Sequence, residues 1–126
     1  MPAPQPRQSS ISVRIKFLDP KQIIAELTDA AKALILKNQN IKGIFLFGSL
    51  IKNKVVPGSD ADVLIILKQD DRRIIDRIPE FLEPFFKISI PIDIFPYTED
   101  EIQNMLSENN SFIKSIWKEK IVLAES

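Results

Sequence analysis

The sequence predicts an α/β (α+β) domain, a sheet covered by helices, on three observations. Helix-like and strand-like segments alternate along the chain, the pattern of helices packed on a sheet. Two short apolar runs, Ile41–Phe47 and Val63–Leu67, are bounded by turn-forming residues and read as buried strands. A chain of 126 residues that is 44% hydrophobic fits one cored domain and is too apolar for a disordered one.

Each element has its own signal. Residues 1–10, with Pro2, Pro4 and Pro6, have little to bury and read as a flexible tail, leaving a single domain over 11–126. Ile11, Val13, Ile15 and Phe17 alternate with Ser12, Arg14 and Lys16, as in a half-buried strand. Asp19-Pro20 opens a helix with an N-cap acid and a first-turn proline. Ile23, Ile24, Leu27, Ala31, Leu34 and Ile35 carry it at helical spacing to about Lys37, where Asn38 and Asn40 end it.

The strand Ile41–Phe47 is followed by a short helix from Ser49 to about Lys54. A loop around Pro57-Gly58 leads into the second strand, Ala61–Leu67. Ile74, Ile75, Ile78, Phe81, Leu82 and Phe85 give 70–86 helical periodicity, which Pro79 and Pro84 kink or break. Ile88–Phe95 is a third strand, with Asp93 and Phe95 facing away from Ile90, Ile92 and Ile94. Pro91 places it at a sheet edge or a bulge.

Thr98 and Glu101 form a capping box for a helix through Leu106. Ser111 caps another, with Phe112, Ile113, Ile116 and Trp117 as core. Ile121–Leu123 is a last strand. Lys68, Arg72, Arg73 and Arg77 read as a solvated helix face, and some of Phe81, Phe85 and Phe86 as facing a second copy of the chain in a homo-oligomer.

Composition narrows the chemistry. Seventeen basic and seventeen acidic residues cancel, so bulk charge draws the chain to neither nucleic acid nor membrane. With no cysteine and no histidine, thiolate and imidazole catalysis and their metal sites are excluded. No apolar run approaches the roughly 20 residues that span a bilayer. The start has no apolar signal region, so a cytoplasmic protein is expected.

Carboxylates therefore carry the chemistry, and they cluster in the pattern. Gly48-Ser49 follows the first buried strand. A glycine corner entering a helix can bring backbone N–H groups to a phosphate, although the same pair is also an ordinary turn and cap. Ten residues, 50–59, separate Ser49 from Asp60. Asp60 and Asp62, at i and i+2 of an extended segment, project to one side, where a divalent cation would relieve their repulsion; solvated acids at a turn are the alternative. Asp93 is an acid inside the third strand and, with no histidine present, the best general-base candidate.

In this arrangement the chain resembles the polymerase β-like nucleotidyltransferase superfamily, in particular its small stand-alone (minimal) members. The resemblance rests on Gly48-Ser49, Ser59-Asp60-Ala61-Asp62 and Asp93, and it spans roughly residues 20–124. It implies a small mixed β-sheet flanked by helices. It also implies two Mg2+ ions held by Asp60, Asp62 and Asp93, and ATP or another nucleoside triphosphate whose phosphates meet Gly48, Ser49, Lys52 and Ser59. The chemistry implied is transfer of a nucleoside monophosphate to a hydroxyl. Many relatives have Ala-Arg-Gly where this chain has Ile51-Lys52-Asn53, so Lys52 would replace a forked guanidinium with a point charge. Such proteins often pair with a helical HEPN-type partner in toxin–antitoxin modules, the transferase acting as antitoxin. A non-catalytic nucleotide-binding or partner-capping subunit is the alternative, and antibiotic nucleotidylation a weaker third reading.

Overall fold

A computed structural model describes residues 19–51 and 60–126. The predicted tail, the alternating segment Ile11–Phe17, the end of the helix expected after Ser49, the Pro57-Gly58 loop, Lys52 and Ser59 lie outside the described residues.

Helix α1 (Pro20–Lys37) begins as its sequence dictates. Asp19 accepts a hydrogen bond from the Lys21 N–H at 3.0 Å, and Pro20 occupies a first-turn position whose N–H has no helical acceptor. Its apolar stripe, Ile23, Leu27, Ala31 and Leu34, is buried. Asn38 ends it in extended backbone. Asn40 then clamps the entry of β1 (Ile41–Phe47) to the exit of β2 (Ala61–Leu67): its side-chain amide donates to the Gln69 carbonyl and its side-chain oxygen accepts from the Gln69 N–H.

β1 and β2 run antiparallel, with Phe47 opposite Asp62. The chain crosses over through α2 (Ile74–Leu82) and a 3-10 turn, Glu83–Phe85, to β3 (Ile92–Thr98), which pairs parallel with β2. Helices α3 (Glu99–Ser107) and α4 (Ser111–Glu119) follow, and β4 (Ile121–Glu125) pairs antiparallel with β1. The mixed sheet has the order β3-β2-β1-β4.

Alternation splits the sheet into two apolar faces. Ile44, Leu46, Val63, Ile65 and Ile94 pack with the α1 stripe, Phe81 and Phe85. Phe45, Phe47, Leu64 and Ile66 pack with Ile102 of α3 and Ile113 and Ile116 of α4. β2 is covered on both sides, which is why it reads as a continuous apolar run rather than an alternating one.

Five expectations are corrected. β3 starts at Ile92, not Ile88, and continues to Thr98. Pro91 has no N–H for the ladder but offers its carbonyl to the Ala61 N–H at 2.9 Å, while Pro96 is tolerated because β3 lies at the sheet edge. The helix expected over 70–86 shortens to α2, with the 3-10 turn taking Pro84. Phe112 and Trp117 are 40% and 38% exposed, and only Ile113 and Ile116 of that group are core; the N-cap of α4 is Asn110, one residue before Ser111.

Arg77 is the fifth. It is 2% exposed rather than on a solvated face. It donates to the carbonyls of Asp70, Arg72 and Pro96 and forks onto Glu101 at 2.7 and 3.0 Å. Glu101 also closes the capping box with Thr98, so one guanidinium ties α2, the end of β3 and the start of α3 together. Phe81 and Phe85 are buried, whereas Phe86 is exposed.

Candidate active site

The candidate residues gather at one end of the sheet, where β1 finishes and β2 and β3 begin. Asp62 on β2 lies opposite Phe47 of β1 on one side and opposite Asp93 of β3 on the other. Residues in register share a face, so both carboxylates stand on the α3–α4 side, away from the α1 core. Asp60, two residues before Asp62, lies within hydrogen-bonding reach of Asp93. The structure therefore brings together the three acids that the sequence separates.

Gly48 supplies the corner. Its φ of +88° lies in the left-handed region that L side chains rarely adopt. A Cβ there would overlap the Asp62 carboxylate and stand 3.3 Å from its Cγ. Glycine is thus required twice, for the turn and for the approach of the acid. The corner closes through an Ile51 N–H to Gly48 carbonyl bond of 3.3 Å and is anchored by Leu50, which is buried. Ser49 sits half-buried in this turn.

The electrostatics follow from the crowding. Burial, then the charges of Asp93 and Asp60, pushes the Asp62 carboxyl above the usual carboxylate range. Burial, then the charge and hydrogen bond of Asp60, pushes Asp93 up as well. Of the three, Asp93 is the exposed one, while Asp60 and Asp62 are half-buried.

Hard, anionic oxygen donors placed against one another suit a hard divalent cation such as magnesium. Among the described residues, however, no group of three or more acidic side chains is set as a ready-made metal cage. The acids stand as the Asp62–Asp93 pair with Asp60 against Asp93.

Two features escape the sequence. Phe47, Phe95 and Phe112 form a ring cluster with centroids 5.3 to 5.9 Å apart. Phe47 is the cross-strand neighbour of Asp62, and Phe95 is two residues past Asp93 on the same face, so the cluster occupies the sheet face that carries both acids. A cavity of about 180 Å³ also opens at Gly48, lined by Phe47, Ser115, Ile116, Lys118 and Glu119. Helical spacing on α4 marks a polar side, but nothing in its periodicity says which end of the sheet that helix covers.

The polymerase beta nucleotidyltransferase family model matches residues 29–126. Among solved structures, the chain is similar in fold to a candidate nucleotidyltransferase from Sulfolobus solfataricus, crystallised at 1.40 Å resolution. The TM-score is 0.61 at 15% identity, over 84% of this chain and 83% of that one. No functionally curated protein matches the chain.

Proposed function

The chain belongs to the polymerase beta nucleotidyltransferase family, and on that premise we propose that it is a magnesium-dependent enzyme moving AMP from ATP to a hydroxyl acceptor. The observation that carries this reading is the pairing of Asp62 with Asp93 across β2 and β3, with Gly48 against the Asp62 carboxylate.

Asp60, Asp62 and Asp93 would hold magnesium, which when bound neutralises triphosphate charge and the charge that builds on the leaving pyrophosphate. The remaining work falls to this chain's own groups. Gly48 lets phosphate oxygens come close to the backbone, and Ser49 offers a hydroxyl beside it. Lys52 and Ser59 complete the phosphate contacts in this reading. Asp93, raised in pKa and open to solvent, takes the proton of the incoming hydroxyl. The hydroxyl oxygen bonds to the α-phosphorus as the bond to pyrophosphate breaks.

The acceptor in this reading is a side-chain hydroxyl of a helical HEPN-type partner protein, with the transferase as antitoxin. The test is incubation with labelled ATP, magnesium and the protein encoded next to it, with analysis of label on each chain. Label on the partner with the wild type, and none with Asp60→Ala, Asp62→Ala or Asp93→Ala, is the expected result. A tight complex without transfer from any nucleotide would instead mark a non-catalytic capping subunit.

A further inference from the structure

We propose that Lys118 on α4 is a further cation on the distal phosphates, beside Lys52, making α4 the second wall of the triphosphate site. This inference rests on the nucleotidyltransferase reading above and assigns it a residue outside the glycine-serine and aspartate motifs.

The cavity at Gly48 has the right position and the wrong size for a whole nucleotide. It lies between the corner and α4, on the sheet face that Phe47 shares with its cross-strand neighbour Asp62, and none of the three acids lines it. Its volume of about 180 Å³ is below the range of roughly 300–1,000 Å³ that encloses drug-sized ligands. It admits a phosphate chain and leaves no room for a base and ribose.

Charge selects the residue. A triphosphate beside three carboxylates needs nearby positive charge. The described arginines and Lys42 are committed at the other end of the sheet or along α2: Arg72 to Asp70 and Glu80, Arg73 to Asp76, Arg77 to Glu101, and Lys42 to Glu99. Lys120 lies 4.2 Å from the Trp117 ring. Lys118 lines the cavity at Gly48 and makes no ion pair among the described residues. Glu119 shares the lining and already has a partner. Adjacent helix positions diverge by about 100°, so the two heads do not face each other. Ile116, buried two residues earlier, fixes the helix that presents Lys118.

The test measures binding by the full chain, in magnesium, of a triphosphate with a non-hydrolysable α–β bridge and, separately, of AMP. Lys118→Ala should weaken triphosphate binding about tenfold, as expected for one charge-assisted contact, and leave AMP binding unchanged. Lys118→Arg should restore most of the loss. Because Lys118 is exposed, both variants should melt as the wild type does. Equal triphosphate affinity in Lys118→Ala, with normal wild-type binding, overturns this inference alone. So does an equal loss for AMP. A wild type that binds no triphosphate overturns it together with the reading on which it rests.

Discussion

At the scale of single residues, the site is a set of groups that fit only one way. Gly48→Ala places an L side chain at a φ of +88°, where the left-handed region costs about 1–2 kcal/mol, and drives its methyl into the Asp62 carboxylate. The expected outcome is a drop in transfer rate on the order of 100-fold with only a modest loss of thermal stability, because a misplacement of about an ångström is enough to spoil the chemistry. A variant that retains wild-type turnover would show that this contact does not matter.

Asp62→Asn probes the crowding itself. A carboxyl whose folded pKa is raised contributes stability that is complete below its ordinary value and lost as pH rises through the raised one. At pH 7, in a chelator, the ionised Asp62 therefore destabilises the wild type, and the neutral amide should melt higher while losing transfer. Thermal melts from pH 4 to 8 should show the gap opening as pH rises. A variant that melts lower than wild type at pH 7 would reject the electrostatic account.

At the scale of elements, the Arg77 junction has the clearest energetic role. Arg77→Met would leave the carbonyls of Asp70, Arg72 and Pro96 without their donor and free Glu101 from its fork, while the Asp70 carboxylate keeps its Arg72 bonds. The cost should be about 3 kcal/mol, at the low end for a broken buried pair because Glu101 keeps 35% of its side chain in water. The side-chain hydrogen bond from Arg72 holds Asp70 below the ordinary carboxylate range, and that from Arg77 holds Glu101 below it. Their contribution is therefore present above that range and fades as pH falls through the depressed values. Urea denaturation of wild type and variant should draw closer as pH is lowered, through Glu101 alone because Arg72 still holds Asp70 in the variant; a gap that does not narrow would contradict the assignment. Arg77 was misread from sequence because arginine inside a short proline-containing helix looks like a surface residue. Its acceptors are carbonyls from 70, 72 and 96, and no periodicity reveals those. Helix starts were legible, by contrast, because Asp19-Pro20 and Thr98/Glu101 carry their caps within a few residues.

For the whole molecule, stability resides in a sheet covered on both faces, and the two coverings differ. Leu27→Ala, on the fully buried α1 stripe, should cost about 2–5 kcal/mol. Phe112→Ala, 40% exposed at the rim of the ring cluster, should cost well under that in chemical denaturation. The reverse order would mean that the helical layer over the acids, not α1, closes the core. The sheet's strands were readable because buried runs such as Val63–Leu67 are unmistakably apolar. Pairing was not readable, since sequence gives no account of which strands lie side by side. The parallel match of β2 with β3 nevertheless decides the site: it puts Asp62 and Asp93 on one rung and makes neighbours of acids that are far apart along the chain. That pairing also maps where the chain tolerates engineering. An epitope grafted at exposed Lys87, in the crossover, lengthens a connection and leaves the rung intact. One residue inserted between Ile92 and Asp93 would turn that acid through the sheet towards α1, so permissive and forbidden graft points lie six residues apart.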